Sequence, residues 1–166
     1  MSTVYNALNG SSRSGRPMRD DENFEIVSDE PVSDERKSKL VKLIDSIAGN
    51  VTLFHAAGHV AYACIPVAEH LETWAIKSST FRLYVRKECW RLGIALRSED
   101  LREITNLLEA RALFDGVETD VHLRVASVGD DIWIDLCDSR WRAIRITSDG
   151  WEVVERPPVR FRREVG

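Results

Sequence analysis

The stretch VHLRVASVGDDIWIDLCDSRWRAIRITSDGWEVV (residues 121–154) decides how this chain folds. Val121, Leu123 and Val125 alternate with His122, Arg124 and Ala126, a period of two that marks a strand. Gly129-Asp130-Asp131 turns the chain into Ile132–Leu136, and Asp138-Ser139 turns it again into Trp141–Ile146. Asp149-Gly150, a strong hairpin signal, then leads into Trp151–Val154. The spacing predicts a four-stranded antiparallel meander. Pro157-Pro158 ends it, because proline cannot donate to a ladder.

Upstream, the apolar period is that of helices. Leu40, Leu43, Ile44 and Ile47 recur at i, i+3, i+4 and i+7, with Ser33 as the expected N-cap and Gly49-Asn50 as the stop. Two β-rich runs, Val51–His55 and Val60–Val67, are joined by Ala56-Ala57-Gly58-His59 and read as a hairpin, with Thr73–Ile76 as a third short strand. Ser78 and Ser79 cap a second helix with the apolar stripe Phe81, Tyr84, Val85, Cys89 and Leu92. A third helix starts at Ser98, turns Leu101, Ile104, Leu108 and Ala112 inward, and stops by Asp115-Gly116. The expected class is therefore α+β: a short β-hairpin, two to three helices and a C-terminal meander.

The 166 residues match one domain, expected over residues 33–163. Residues 1–32 precede it as a disordered tail, since Asn-Gly-Ser-Ser-Arg-Ser-Gly-Arg-Pro over 9–17 buries little against its ordering entropy. Residues 19–35 carry eight carboxylates against Arg19, and residues 164–166 form the C-terminal end. Such an acidic stretch is a solvated tail, or one that shields a basic surface or recruits a basic partner. A net charge of −4 excludes a wholesale polycation. Three widely spaced cysteines, Cys64, Cys89 and Cys137, exclude a disulfide scaffold and point to a reducing compartment. With no apolar run of ~18 residues and no signal-type N-terminus, a cytoplasmic protein without membrane contact is expected.

Catalytic patterns fail on inspection, and neither catalytic residue, metal nor cofactor is expected. Gly10 to Pro17 spaces its glycines like a phosphate loop, but Arg16 and Pro17 stand where Lys and Ser/Thr are needed. His55 and His59 flank a turn without a third ligand, and Cys64 and His70 do not complete a tetrahedral set. Asp130, Asp131 and Asp138 are turn residues, which leaves Asp135 as the one strand carboxylate on which a divalent-metal nuclease could centre. Cys89 sits on the buried stripe, and Cys64 and Cys137 are read as strand residues acting as small hydrophobes.

Two surface patterns remain. On the second helix, Arg82, Leu83, Arg86, Lys87, Trp90 and Arg91 fall opposite the apolar stripe. Cations around an exposed Trp suit phosphate tracking and base stacking. On the meander, Val121, Leu123, Val125, Ile132, Ile134, Leu136, Ile144 and Ile146 are expected to face the helices. The opposite face would then carry His122, Arg124, Trp133, Asp135, Trp141 and Arg145, fit for stacking bases or gripping a partner. The alternative is that Pro157–Arg163 folds across and covers the tryptophans. From Arg140 onward, seven arginines, including Arg160, Arg162 and Arg163, outweigh four carboxylates for a local net of +3.

Phe114-Asp115-Gly116, Val121-His122-Leu123-Arg124-Val125, Ile134-Asp135-Leu136, Trp141-Arg142-Ala143, Gly150-Trp151 and Pro157-Pro158-Val159-Arg160-Phe161-Arg162-Arg163 resemble a region of bacterial and phage mobile-element replication proteins of the primase–helicase-like, ATP-binding kind. Leu53-Phe54-His55, Ala61-Tyr62-Ala63 and Trp74 before Ser78–Phe81 resemble it too, so the likeness covers about Val51 to Arg163. In such proteins this region precedes a nucleoside-triphosphatase domain. Here no phosphate loop receives that activity, so the resemblance implies an accessory module, acting alone or split from a longer motor. Its expected partners are single-stranded DNA or a helicase- or primase-type protein. A protein–protein docking or inhibitor module, resting on the acidic tail and Trp133/Trp141, is the second expectation.

Overall fold

The computed structural model describes residues 34–163. The expected disordered tail over residues 1–32, the Ser33 cap and the Gly10–Pro17 stretch lie outside the described residues, as do residues 164–166. Helix α1 (Asp34–Asn50) leads into β1 (Thr52–Ala56), β2 (Val60–Val67) and β3 (His70–Ala75), then α2 (Ser79–Arg91) and α3 (Ser98–Phe114). None of the described helices is long and apolar enough to cross a membrane.

Local chemistry sets the helix ends. The Ser78 hydroxyl accepts the Phe81 N–H at 3.2 Å, satisfying one orphan donor of α2. At α3 the Asp100 carboxylate accepts the Arg97 N–H at 2.9 Å and also binds Arg36 of α1, so one side chain caps a helix and ties two together. Along β2, alternation sends Ala61, Ala63 and Ile65 towards the helices and Tyr62 and Cys64 to the other face. Leu43 and Ile47 of α1, Phe81 and Val85 of α2, and Ile104 and Leu108 of α3 close the core over the first face, all fully buried. Each such side chain contributes about 1.5–3 kcal/mol of burial.

The sheet extends as β3-β2-β1-β4, where β4 (Val117–Glu118) lies parallel to β1 with Val117 opposite Phe54. A parallel neighbour needs a crossover, and α3 supplies it. Gly116, between α3 and β4, has no room for a side chain. A Cβ there would overlap the Ala112 carbonyl oxygen and lie 3.0 Å from the Phe54 Cα.

The meander is present as β6 (Val125–Val128), β7 (Asp131–Asp135), β8 (Ala143–Thr147) and β9 (Gly150–Val154), all antiparallel neighbours in that order. Its first strand begins at Val125 rather than Val121. Val121-His122 forms β5, which pairs in parallel with β10 (Arg160–Phe161) from the end of the chain. That pairing brings residues 155–163 back across the meander.

The orientation of the meander is the reverse of the one its apolar pattern predicts. Ala126, Trp133, Asp135 and Ala143 are buried, and Val159 and Phe161 pack against this face. The aliphatic rows face outward, with Val125 57% and Ile132 43% exposed and Leu123 exposed beyond them. The cause is steric and electrostatic together. Ala126 and Ala143 leave space for the returning chain, and Asp135 must meet the arginine that chain carries.

The same substitution at two glycines should act with opposite signs. Gly116→Ala should lose about 1–3 kcal/mol by overpacking. Gly49→Ala, in α1 with nothing within 4 Å of its added Cβ, should gain about 0.5–1 kcal/mol of helix propensity. Urea midpoints at unchanged slope check both.

Candidate nucleic-acid interface

The residues singled out in the sequence separate into a free set and a committed set. On α2, Arg82, Leu83, Arg86, Lys87 and Trp90 are exposed, Trp90 at 84%. Phe81, Val85 and Cys89 are buried on the opposite side, so rotation of about 100° per residue places the cations outward. Arg91 is held back. Its guanidinium binds the buried Glu88 carboxylate, with Nη2 at 2.8 Å and Nε at 3.0 Å from Oε2. That i,i+3 pair was readable in the sequence and was not among the expected contacts.

The first turn of α2 opens onto a cleft on the helix-free side of the first sheet. A part of about 390 Å³ is lined by Tyr62, Trp74, Ser78, Ser79, Arg162 and Arg163. It adjoins a shallower part of about 770 Å³ at Tyr62 and Arg162, where His122, Leu123 and Arg124 join the wall. Among the described residues, no acidic side chain lines either part. The floor is aromatic and small: Phe54 and Tyr62 stack with centroids 5.6 Å apart, flanked by Ala56, Ala75 and Val121. Sequence reasoning missed this cleft because its walls come from β2, β5, α2 and the chain end.

The committed residues form a lock beneath the meander. Asp135, fully buried, receives a two-pronged contact from Arg163, Nη2 to Oδ1 at 2.6 Å and Nε to Oδ2 at 3.0 Å. The Cys137 N–H and thiol donate to the same carboxylate, each at 3.0 Å. Arg163 also reaches the Asp138 carbonyl oxygen through Nη1 and stands 4.2 Å from the centre of the Trp141 ring. Trp141 in turn meets Trp74 edge-on at 5.4 Å, which joins the meander to the first sheet.

These contacts correct several expectations. Trp133 and Trp141 are only 5% and 9% exposed, so neither is a stacking platform, and the returning chain covers Trp133. The Trp133 indole N–H finds no acceptor among the described residues. Arg145 is spent on Asp131 at 2.7 Å and Glu152 at 3.3 Å, above the Trp133 ring. Arg163 lines the cleft but serves the lock. Arg160 is half-buried beside Cys64, while Arg124 is exposed on the cleft wall. Cys137 is an exposed turn residue with φ 53°, not a strand hydrophobe.

Electrostatics separates these groups from catalysis. Burial alone would raise the Asp135 carboxyl, but the Arg163 hydrogen bond and the Cys137 donors hold it below the usual carboxylate range. With both oxygens engaged, Asp135 offers no open site to a divalent ion. The Cys137 thiol is pushed up by its bond to that carboxylate, and burial pushes up Cys64 and Cys89, which opposes thiolate formation. His55 and His59 stack at 6.5 Å, and no cluster of three or more potential ligands occurs among the described residues. A separate groove of about 620 Å³ between α1 and residues 92–95 has two of its cations already paired, Arg36 with Asp100 and Lys39 with Glu35.

No family model, curated protein or solved structure matches this chain.

Asp135→Asn should cost about 3–5 kcal/mol at neutral pH, because it leaves the Arg163 charge buried without its partner. A carboxyl lowered in the folded state gives stability that is complete above the unfolded value of about 3.9 and lost as pH falls through the folded one. Urea midpoints of the two proteins should stay apart from neutral pH down to about 4 and converge below it. Equal midpoints at pH 7 would show that the pair contributes nothing.

Proposed function

We propose that this chain is a non-catalytic nucleic-acid-binding module that holds a single strand along α2 and into the cleft at its N-terminus. The supporting observation is a supply of cations and aromatics along α2 and the cleft wall, without an uncompensated carboxylate among the described residues. Arg82, Arg86 and Lys87 make no ion pair among the described residues, Trp90 stands clear of the surface, and Glu88 is neutralised by Arg91. Arg124 continues the positive charge along the cleft wall. From Ser79 to Trp90 the helix rises ~16 Å, enough to follow several phosphates.

Spaced cations release counterions from a backbone, and an exposed indole accepts any base face, so binding of this kind tolerates sequence. In a chain of net charge −4 the attraction is local to this strip and not a property of the whole surface. The resemblance to mobile-element replication proteins supplies the setting: an accessory role beside a helicase or primase, with strand separation done elsewhere. The rival reading, a docking or inhibitor module, loses its Trp133/Trp141 contact surface to burial. It keeps a different support in the outward aliphatic face of the meander.

Affinity for single-stranded DNA should fall with salt at a log–log slope of about −2 to −3, as expected for roughly four phosphates at −0.7 each. Arg86→Ala combined with Lys87→Ala should make the slope shallower by about 1.4. Trp90→Ala should cost about 1–3 kcal/mol of affinity and leave the slope unchanged. Fluorescence anisotropy across a salt series measures all three. Absence of binding at low salt, or a slope indifferent to the double substitution, refutes this reading.

A further inference from the structure

We propose that the open face of the β6–β9 sheet is the contact surface of a homodimer, in which two copies stack these sheets face to face. The strand register places eight side chains on this face in two rows. One row reads Val125, Ile134, Ile144, Val153 and the other Ser127, Ile132, Ile146, Trp151. None of the eight is charged. Trp151 is 72% exposed, and Val125, Ile132 and Val153 are exposed too. The charges Asp131, Arg145 and Glu152 all belong to the other face, where they pair with one another.

An antiparallel sheet with one free side ordinarily turns its polar residues to water. Here the polar residues are on the side that the returning chain packs against, and the aliphatics are on the open side. A face without charge has nothing to hold a phosphate backbone or a charged peptide. Paired with itself it meets no repulsion and buries two sets of β-branched side chains at the ~10 Å spacing of stacked sheets.

The relief of the face is self-complementary. β6 and β9 are the two edges of the sheet. A two-fold axis parallel to the strands exchanges those edges while keeping each row opposite itself. Trp151, the tallest residue, then lies over Ser127, the shortest, and each copy supplies both. Four strands at ~4.8 Å and five residues at ~3.4 Å give a footprint of roughly 19 by 17 Å. With protruding side chains, two copies remove on the order of 1,000 Å² from water, the lower bound for a specific interface. The dimer is therefore expected to be concentration-dependent and not obligate.

Sedimentation of the full chain should show a shift from 18.9 kDa towards twice that mass as concentration rises. Trp151→Ser opens a hole and Ser127→Trp makes two indoles collide, so each should weaken association by about tenfold or more. The double variant restores one Trp over one Ser at exchanged corners and should recover the dimer. Ile132→Lys, in the middle of the face, should leave a monomer with an unchanged melt. Trp90→Ala, on α2, should dimerise as the parent does and lose only strand binding, which keeps this proposal separable from the previous one. A parent chain that stays monomeric to millimolar concentration, or a double variant no better than the single ones, overturns the dimer.

Discussion

The arrangement of the second half of this protein depends on one buried ion pair. Asp135 projects from the end of the inner strand β7 into space closed to water, and an isolated carboxylate there is untenable. Arg163 answers it with a two-pronged contact from 28 residues along the chain. To reach Asp135, the chain must leave β9, pass the Pro157-Pro158 step and run back beneath the meander. On the way Val159 and Phe161 fill the space over Ala126 and Ala143, and Arg160-Phe161 pairs with Val121-His122. The pair thus selects which side of the sheet is inside. It also fixes Trp141 against Trp74, so the same contact couples the meander to the sheet under the helices.

That dependence explains where sequence reading stops. The helices were legible because their signals are local: Ser78 and Ser98 at the starts, apolar residues at helical spacing, and Gly49 or Asp115-Gly116 at the stops. The meander was legible for the same reason, through period-two alternation and the Asp149-Gly150 turn. Alternation, however, states only that two faces differ. Which one is buried depends on what covers it, and here the cover comes from the chain end. The signal that pointed the right way was the company Asp135 keeps. It shares a face with Trp133, Ala126 and Ala143, two of them small, while an arginine lies just past a double proline. β4 and β10, two residues each, are too short to show a period, and Val121-His122 reads as the start of the meander because nothing local announces its pairing with Arg160-Phe161.

The candidate site divides on the same line. On α2 the outward set followed from rotation about one helix, and the structure leaves Arg82, Arg86, Lys87 and Trp90 exposed. On the meander, a residue's availability depends on partners distant in sequence, so Trp133, Trp141, Arg145 and Arg163 could not be sorted by composition. Arginine serves both purposes because its planar fork matches a carboxylate as well as a phosphate. An arginine count therefore says little about nucleic-acid binding until the carboxylates that claim each one are known. After Asp135, Asp131, Glu152 and Glu88 take theirs, Arg82, Arg86 and Lys87 on α2 stand exposed with no ion pair among the described residues, and Arg124 is exposed on the cleft wall.

The two exposed surfaces have opposite character and sit on different elements, and each compensates for a weakness in the other. In the proposed reading, a strip of about four cations and one indole would grip a strand modestly, and its hold would fade as salt rises. An uncharged sheet face is insensitive to salt, so the proposed apolar contact would persist where the strip loosens. Were two copies joined through that face as proposed, two strips would act on one strand, and the second engagement would become intramolecular at an effective concentration set by geometry rather than by bulk protein. On the proposed reading, a protein of negative net charge would then hold nucleic acid without presenting a large basic surface. Binding by such a pair would depend more steeply on protein concentration than on the affinity of either strip alone.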